Sequence, residues 1–157
     1  MIVQKYGGSS VATPEMIRAI AEKIKKRVEE GEKLIVVVSA MGKTTNNLID
    51  LANQVSSDPL PRELDMLLAT GEQTSAALLS MSLNDLGVQA VSYNAFQLGM
   101  ITTGTFCNAR IVDIDMKKVE RELNQRDVIV VTGFQGITPE GEITTLGRGG
   151  SDTSAVA

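Results

Sequence analysis

The chain has no histidine and no tryptophan, one cysteine, and only two Tyr and three Phe among 157 residues. Without histidine there can be no Ser-His-Asp or Cys-His triad, no imidazole base and no histidine-bound metal. A single cysteine, Cys107, excludes a disulfide framework, a zinc knuckle and a CxxC redox motif, and it fits a reducing compartment. With aromatics at 3% there is no platform on which bases could stack, and a net charge of −4 argues against a general nucleic-acid binder. No apolar run approaches the ~18 residues needed to span a bilayer. Met1 to Lys5 run straight into a strand-like segment, so no signal peptide is visible. What remains is ordinary for a globular protein: 43% hydrophobic and 22% charged, at a length that suits one domain or part of one.

What is present is an alternation of short β-branched runs with helical patterns. Ile2 to Gln4 reads as a short strand. A helix follows from Pro14 to Glu30, with Thr13 as N-cap, Gly31 as stop, and an apolar stripe of Ile17, Ile20, Ala21, Ile24 and Val28. Its basic run, Lys23, Lys25, Lys26 and Arg27, reads as a solvated face. Leu34-Ile35-Val36-Val37-Val38 and Asp127–Thr132 are apolar on both faces, the mark of central strands in a covered parallel sheet. Helices are expected at 45–55, 62–70 and 72–86, the last two separated at Gly71-Glu72-Gln73 and the last buried nearly all round. Val88–Tyr93 is a further strand. Residues 99–114 read as irregular or short antiparallel structure. Asp115 caps a helix to Gln125 with Met116, Val119 and Leu123 inward, and 137–143 reads as a hairpin. The rhythm predicts an α/β fold, a three-layer αβα sandwich around a mainly parallel sheet. Gly147 to Ala157 reads as a glycine turn and the first turn of a helix, from which a truncated chain is expected. An exposed sheet edge would then favour self-association. Cys107 is expected to be half-buried and the seven Met residues to fill the core.

Four constellations could carry chemistry. Lys5-Tyr6-Gly7-Gly8-Ser9-Ser10 lies between a strand and a helix. Its glycines let backbone N–H groups approach an anion, Ser9 and Ser10 add donors, and Lys5 adds a mobile charge, a set suited to a phosphate in transfer. Taken alone, such a pair of glycines is more often a plain tight turn. Gly42-Lys43-Thr44 looks like the end of a Walker A loop, but that motif needs glycine where Val37 stands inside a strand, so the cradle cannot form. Ser39 and Thr45 nevertheless sit at the carboxyl edge of the sheet, where ligands of α/β folds collect. Glu72, near a helix start, reads as dipole compensation or as a grip on a substrate ammonium group. The strongest block is Thr144 to Ala155, in which three glycines flank Arg148 before Ser151 and Asp152 open a helix. A guanidinium with room around it can fork onto a carboxylate. Ser151 and Asp152 could be simple N-caps, but capping does not need Gly-Arg-Gly-Gly in front of it.

With these residues together, the chain resembles the aspartokinases of the amino acid kinase family along essentially its whole length. Lys5-Tyr6-Gly7-Gly8-Ser9-Ser10 is similar to the family's opening Lys-Phe-Gly-Gly-Thr-Ser. The likeness continues through Val37 to Gly42, Thr45-Asn46, Pro61 to Asp65, Thr70 to Gln73, Ala109-Arg110-Ile111, Gly133-Phe134-Gln135-Gly136, and Thr144 to Asp152. The resemblance implies phosphoryl transfer from MgATP to the β-carboxylate of L-aspartate, giving 4-phospho-L-aspartate, the entry to lysine, threonine and methionine synthesis. It implies a cytoplasmic enzyme that is a homo-oligomer when complete. Catalytic roles fall to Lys5 and Asp152, and phosphate binding to Lys5, Gly7, Gly8 and Ser9. Acceptor binding falls to Ser39, Thr45, Glu72, Phe134, Arg148 and Ser151. No protein ligand to a metal is expected. The acceptor is already a carboxylate and needs no base, so a chain without histidine loses nothing. Residues 1–157 then correspond to the N-terminal, acceptor-holding part of the kinase domain. The strands that hold adenine and the regulatory ACT domains are absent, and little or no activity is expected. The alternatives are a kinase of another acidic amino acid of the glutamate type, and a non-catalytic fragment that binds an amino acid or assembles with another subunit.

Overall fold

The computed structural model describes residues 1–147 and 149–157. Its main sheet is parallel throughout, in the order β1 (Ile2–Tyr6), β2 (Leu34–Val38), β6 (Val128–Thr132), β3 (Ala90–Tyr93). The two central strands are apolar at nearly every position because both of their faces are covered. Side chains alternate along a strand. Leu34, Val36, Val38, Val128 and Val130 therefore enter one core, and Val37, Ile129 and Val131 enter the other.

Helices α1 (Pro14–Glu29) and α3 (Pro61–Asp85) cover the first face with Ile17, Ile20, Ala21, Ile24, Ala76, Leu79 and Leu83. The second face is covered by Val119 and Leu123 of α5 (Met116–Gln125), Leu98 of α4 (Ala95–Leu98) and Ala155 of α6 (Gly150–Val156). These are the three expected layers. The start of α1 is also as read: Thr13 Oγ1 accepts from the Met16 N–H at 3.3 Å, and Gly31 beyond its end has φ 87°. Thr13→Ala should lower stability by about 1 kcal/mol, the usual value of such a cap. Urea unfolding monitored by far-UV circular dichroism checks this, and an unchanged midpoint would contradict it.

A second, smaller sheet runs β5 (Ile111–Ile114), β4 (Met100–Thr102), β7 (Gln135–Ile137), β8 (Ile143–Thr145). The antiparallel structure expected within 99–114 is the β4–β5 pair, bulged between Ile101 and Thr102, and the expected hairpin is β7–β8. A parallel contact of β4 with β7, through Ile101 and Ile137, makes them one sheet. The buried Thr102 and Thr144 hydroxyls share a 2.6 Å hydrogen bond across it. Gly136 leaves the room for Thr102, since any Cβ there would collide with the threonine methyl.

Several local expectations need correction. The helix does not break at Gly71: α3 is continuous for 25 residues. The glycine is needed because a Cβ on it would lie 2.9 Å from Ala40 Cβ, so it lets α3 press on the loop after β2. The second half of α3 is not buried all round, as Met81 is 61% exposed and Leu78 also reaches solvent. Met116 is exposed rather than inward. Of the other methionines Met100 is core, whereas Met1, Met16 and Met66 are exposed. An unbranched side chain can lie along a surface as readily as fill a gap. Cys107 is exposed, in a turn with φ 60°. Neither Ser151 nor Asp152 caps the last helix: Gly149 is its N-cap, with φ 75° and no side-chain hydrogen bond. Helix α2 (Thr44–Val55) follows β2 with Lys43 as N-cap, and Val37 is inside β2, which excludes the Walker loop. Among the described residues, no helix is long and apolar enough to cross a membrane.

Candidate active site

Parallel strands bring their carboxyl ends to one edge, and three loops meet there. After β1, the C=O of Gly7 accepts from the N–H groups of Ser10 and Val11 at 2.9 and 3.3 Å, closing the glycine turn. The Gly8 C=O accepts from Gly42 N–H at 2.9 Å, and a Cβ on Gly8 would lie 2.7 Å from the Ala40 carbonyl oxygen. Only glycine allows the two backbones to lie that close. The N–H groups of Gly7, Gly8 and Ser9 have no protein acceptor among the described residues, so they are available to an anion.

After β2, Ser39 N–H donates to the Tyr6 C=O and Ala40 N–H donates to Glu72 Oε1, both at 3.1 Å. After β6, Gly133 N–H donates to the Val38 C=O at 2.9 Å, and a Cβ on Gly133 would meet Ser151 Cβ at 2.8 Å. Phe134 adopts φ 69°, a left-handed conformation that costs a non-glycine residue ~1–3 kcal/mol. It is held there from both sides. Its N–H donates to Ser154 Oγ at 3.2 Å, and its C=O accepts from Leu146 N–H at 2.7 Å.

These loops enclose a cavity of about 290 Å³. Of the residues expected from the sequence, Lys5, Gly8, Ser39, Thr45, Glu72, Phe134, Ser151 and Asp152 line it. Gly7 and Ser9 belong to the same turn but not to the cavity wall. Arg148 lies outside the described residues. Ala40, Gly42, Gly149 and Gly150 complete the wall with backbone and small side chains.

Two charged features define the chemistry. Lys5 Nζ lies 2.9 Å from Asp152 Oδ1, with the carboxylate largely exposed. An ion pair so wet adds little to stability, so its consequence is placement of the ammonium at the cavity mouth. Glu72 is different. It is 2% exposed, Oε1 is taken by Ala40 N–H, and Oε2 has no partner among the described residues. Burial pushes its carboxyl up to about 7, although the Ala40 N–H works against that. A buried carboxylate oxygen without a partner on a cavity wall suits a cationic ligand. Helix dipole compensation does not describe this residue, because it sits in the middle of α3.

The sequence reading missed Asp65. It is fully buried and accepts from Cys107 N–H and Thr145 N–H, both at 2.9 Å, and from Thr145 Oγ1. It ties α3 to β8 and to the turn before β5. The signal was present: Asp65, Leu68, Ala69, Glu72, Ala76 and Leu79 form one stripe once the helix is drawn through Gly71. Cys107 lies outside the cavity wall. Partial burial of its sulfur and the Asp65 carboxylate raise the thiol to about 11, so it stays protonated.

The chain is similar to known proteins in both sequence and fold. The chain is 53% identical over all 157 residues to an aspartokinase of Bacillus sp. (strain MGA3), of which it covers 38%. It superposes on the crystal structure of aspartate kinase from Synechocystis with TM-score 0.81 and 52% identity, covering 100% of this chain and 26% of that one. Escherichia coli aspartokinase III in complex with aspartate and ADP shares the fold, with TM-score 0.84 at 23% identity over 97% of this chain and 44% of that one. The chain spans 38–39% of the length of the curated aspartokinases it matches. The model of the amino acid kinase family matches residues 1–157 throughout, and the chain belongs to that family.

Proposed function

We propose that this chain is the acceptor-holding part of an aspartate kinase, which transfers the terminal phosphoryl group of MgATP to the β-carboxylate of L-aspartate to give 4-phospho-L-aspartate. The observation that carries this reading is Glu72 Oε2, a buried carboxylate oxygen with no partner on the wall of the cavity that also holds Lys5. In the proposed reaction Glu72 takes the substrate ammonium. Ser39, Thr45, Phe134 and Ser151 line the acceptor, and Arg148, by resemblance, forks onto a carboxylate.

The chemistry needs positioning and charge neutralisation rather than a base, because the acceptor oxygen is already anionic. The β-carboxylate attacks the terminal phosphorus of ATP, the bond from that phosphorus to the bridging oxygen breaks, and ADP leaves. Lys5 offsets the charge on the phosphoryl group in flight, and the N–H groups of Gly7, Gly8 and Ser9 receive its oxygens. Asp152 keeps the Lys5 ammonium at the cavity mouth. Among the described residues, no group of three or more Asp, Glu, His or Cys side chains is placed to hold a metal. Magnesium enters the proposed reaction as a partner of the ATP phosphates, with waters and at most one or two carboxylates completing its shell.

The similarity to aspartokinases supports a cytoplasmic, homo-oligomeric parent enzyme serving lysine, threonine and methionine synthesis, with nucleotide-binding and ACT regulatory parts outside these 157 residues. On that reading the 157-residue chain binds aspartate but does not turn it over. Calorimetric titration should show L-aspartate binding at least about tenfold more tightly than L-glutamate, the discrimination one methylene typically gives. Trapping with hydroxylamine should give aspartyl hydroxamate only when a separately made C-terminal half of an aspartokinase is added. Equal affinity for the two amino acids would overturn the substrate, and robust turnover by the chain alone would overturn the division of labour.

A further inference from the structure

A second cavity, of about 190 Å³, opens at the carboxyl ends of β3 and β6 against α3, and shares no residue with the acceptor cavity. At its wall Thr132 is 1% exposed and its Oγ1 has no hydrogen-bond partner among the described residues. A buried hydroxyl left in that condition is costly unless something outside the protein completes it. The neighbouring side chains are polar: Ser92, Asn94 and Gln97 also line the cavity, and Gln73 closes it from α3.

The hydrogen bonding around Asn94 fixes what this wall can offer. Asn94 Oδ1 accepts from Gln97 N–H, and Gln97 Oε1 accepts from Asn94 N–H, each at 3.0 Å. A backbone N–H can only donate, so both amide oxygens are engaged and the orientation of both amides is settled. Each amide keeps both N–H donors of its NH₂ group free, beside the second lone pair of its oxygen. With the hydroxyls of Thr132 and Ser92 the wall is rich in neutral donors, and among the described residues no Lys, Arg, Asp or Glu lines it. Without a cation it does not suit a phosphate dianion, and without a carboxylate it does not suit an ammonium.

We propose that this cavity is a second small-molecule site that binds a small carboxylate through neutral donors, with the Thr132 hydroxyl as one of them. Its volume equals that of about six waters in the liquid, room for a two- or three-carbon acid.

The test is a titration of the ¹⁵N-labelled chain with sodium acetate, with sodium chloride at matched ionic strength as control. The side-chain NH₂ signals of Asn94 and Gln97 should move saturably with acetate and not with chloride. Thr132→Val keeps the shape and removes no protein hydrogen bond, so it should fold as well as the parent and bind acetate about fivefold or more weakly. Glu72→Gln, in the other cavity, should leave these shifts unchanged. Three results would overturn the proposal: shifts that grow linearly as with chloride, unchanged acetate affinity in Thr132→Val, or loss of the shifts in Glu72→Gln.

Discussion

Replacing Glu72 by Gln is expected to stabilise the ligand-free chain at pH 8 while weakening its hold on aspartate. Both effects come from one buried carboxyl whose protonation midpoint is pushed from 4.5 to about 7 by burial. Between those two values the folded chain keeps a proton that the unfolded chain has lost. Stability therefore falls as pH rises from about 4.5 to about 7, and stays reduced above that. The penalty at pH 8 is ~3 kcal/mol for a shift of this size. The amide of Glu72→Gln does not titrate, so the variant should escape it. Urea unfolding at pH 5 and pH 8 checks this: the parent should lose stability between the two, and the variant should lose less. Aspartate affinity should move the other way. A substrate ammonium that loses its buried, charged partner should bind roughly 30-fold more weakly. For the parent, affinity should decline as the pH falls below about 7, because the protonated carboxyl no longer attracts the ammonium. A variant no more stable at pH 8 and equal in aspartate binding would remove Glu72 from the site.

Asp65→Ala should be the most damaging single change in the chain. It would leave the N–H groups of Cys107 and Thr145 and the Thr145 hydroxyl without their acceptor. Unmade buried hydrogen bonds cost ~1–3 kcal/mol each, and some are regained from water, which puts the loss at about 4 kcal/mol. A domain of ordinary stability has ~5–15 kcal/mol in total, so the variant would be partly unfolded at 37 °C. Asp65→Asn keeps the volume and one acceptor oxygen, and should lose about half as much. The urea midpoints of the two variants decide the matter. If Asp65→Ala lies within about 1 kcal/mol of the parent, well inside the expected loss, the junction between α3 and the small sheet does not depend on this carboxylate.

The two residues show where sequence reading succeeds and where it stops. Glu72 is legible as a grip on an ammonium group, but judged alone it reads more readily as a helix-start carboxylate. A glycine in a helical pattern usually weakens it, so Gly71 reads as a break. That reading hides the buried stripe that joins Asp65 to Glu72 across the glycine. Only the approach of Ala40 to within 2.9 Å of a Cβ at that position explains why the helix keeps its glycine. Phe134 is similar. A place beside the acceptor is what the resemblance to aspartokinases implies for it, but its left-handed backbone depends on Ser154 and Leu146, which are distant in sequence.

The sequence by itself determined the layered architecture. Doubly apolar strands must be covered on both faces, and helices with a single stripe are what cover them. It also determined the chemistry to be ruled out, since a chain without histidine has no imidazole to use. It pointed to the glycine turn beside Lys5 and to the Gly149–Asp152 segment, both of which the structure brings to one cavity, because glycines let a backbone approach a ligand closely. Only the tertiary structure decided that Lys5 meets Asp152 and that, among the described residues, Glu72 Oε2 and Thr132 Oγ1 are left without partners. Each of these depends on which side chains from separate segments fill or fail to fill one another's hydrogen bonds. That is a property of packing in three dimensions, and no local pattern in the chain encodes it.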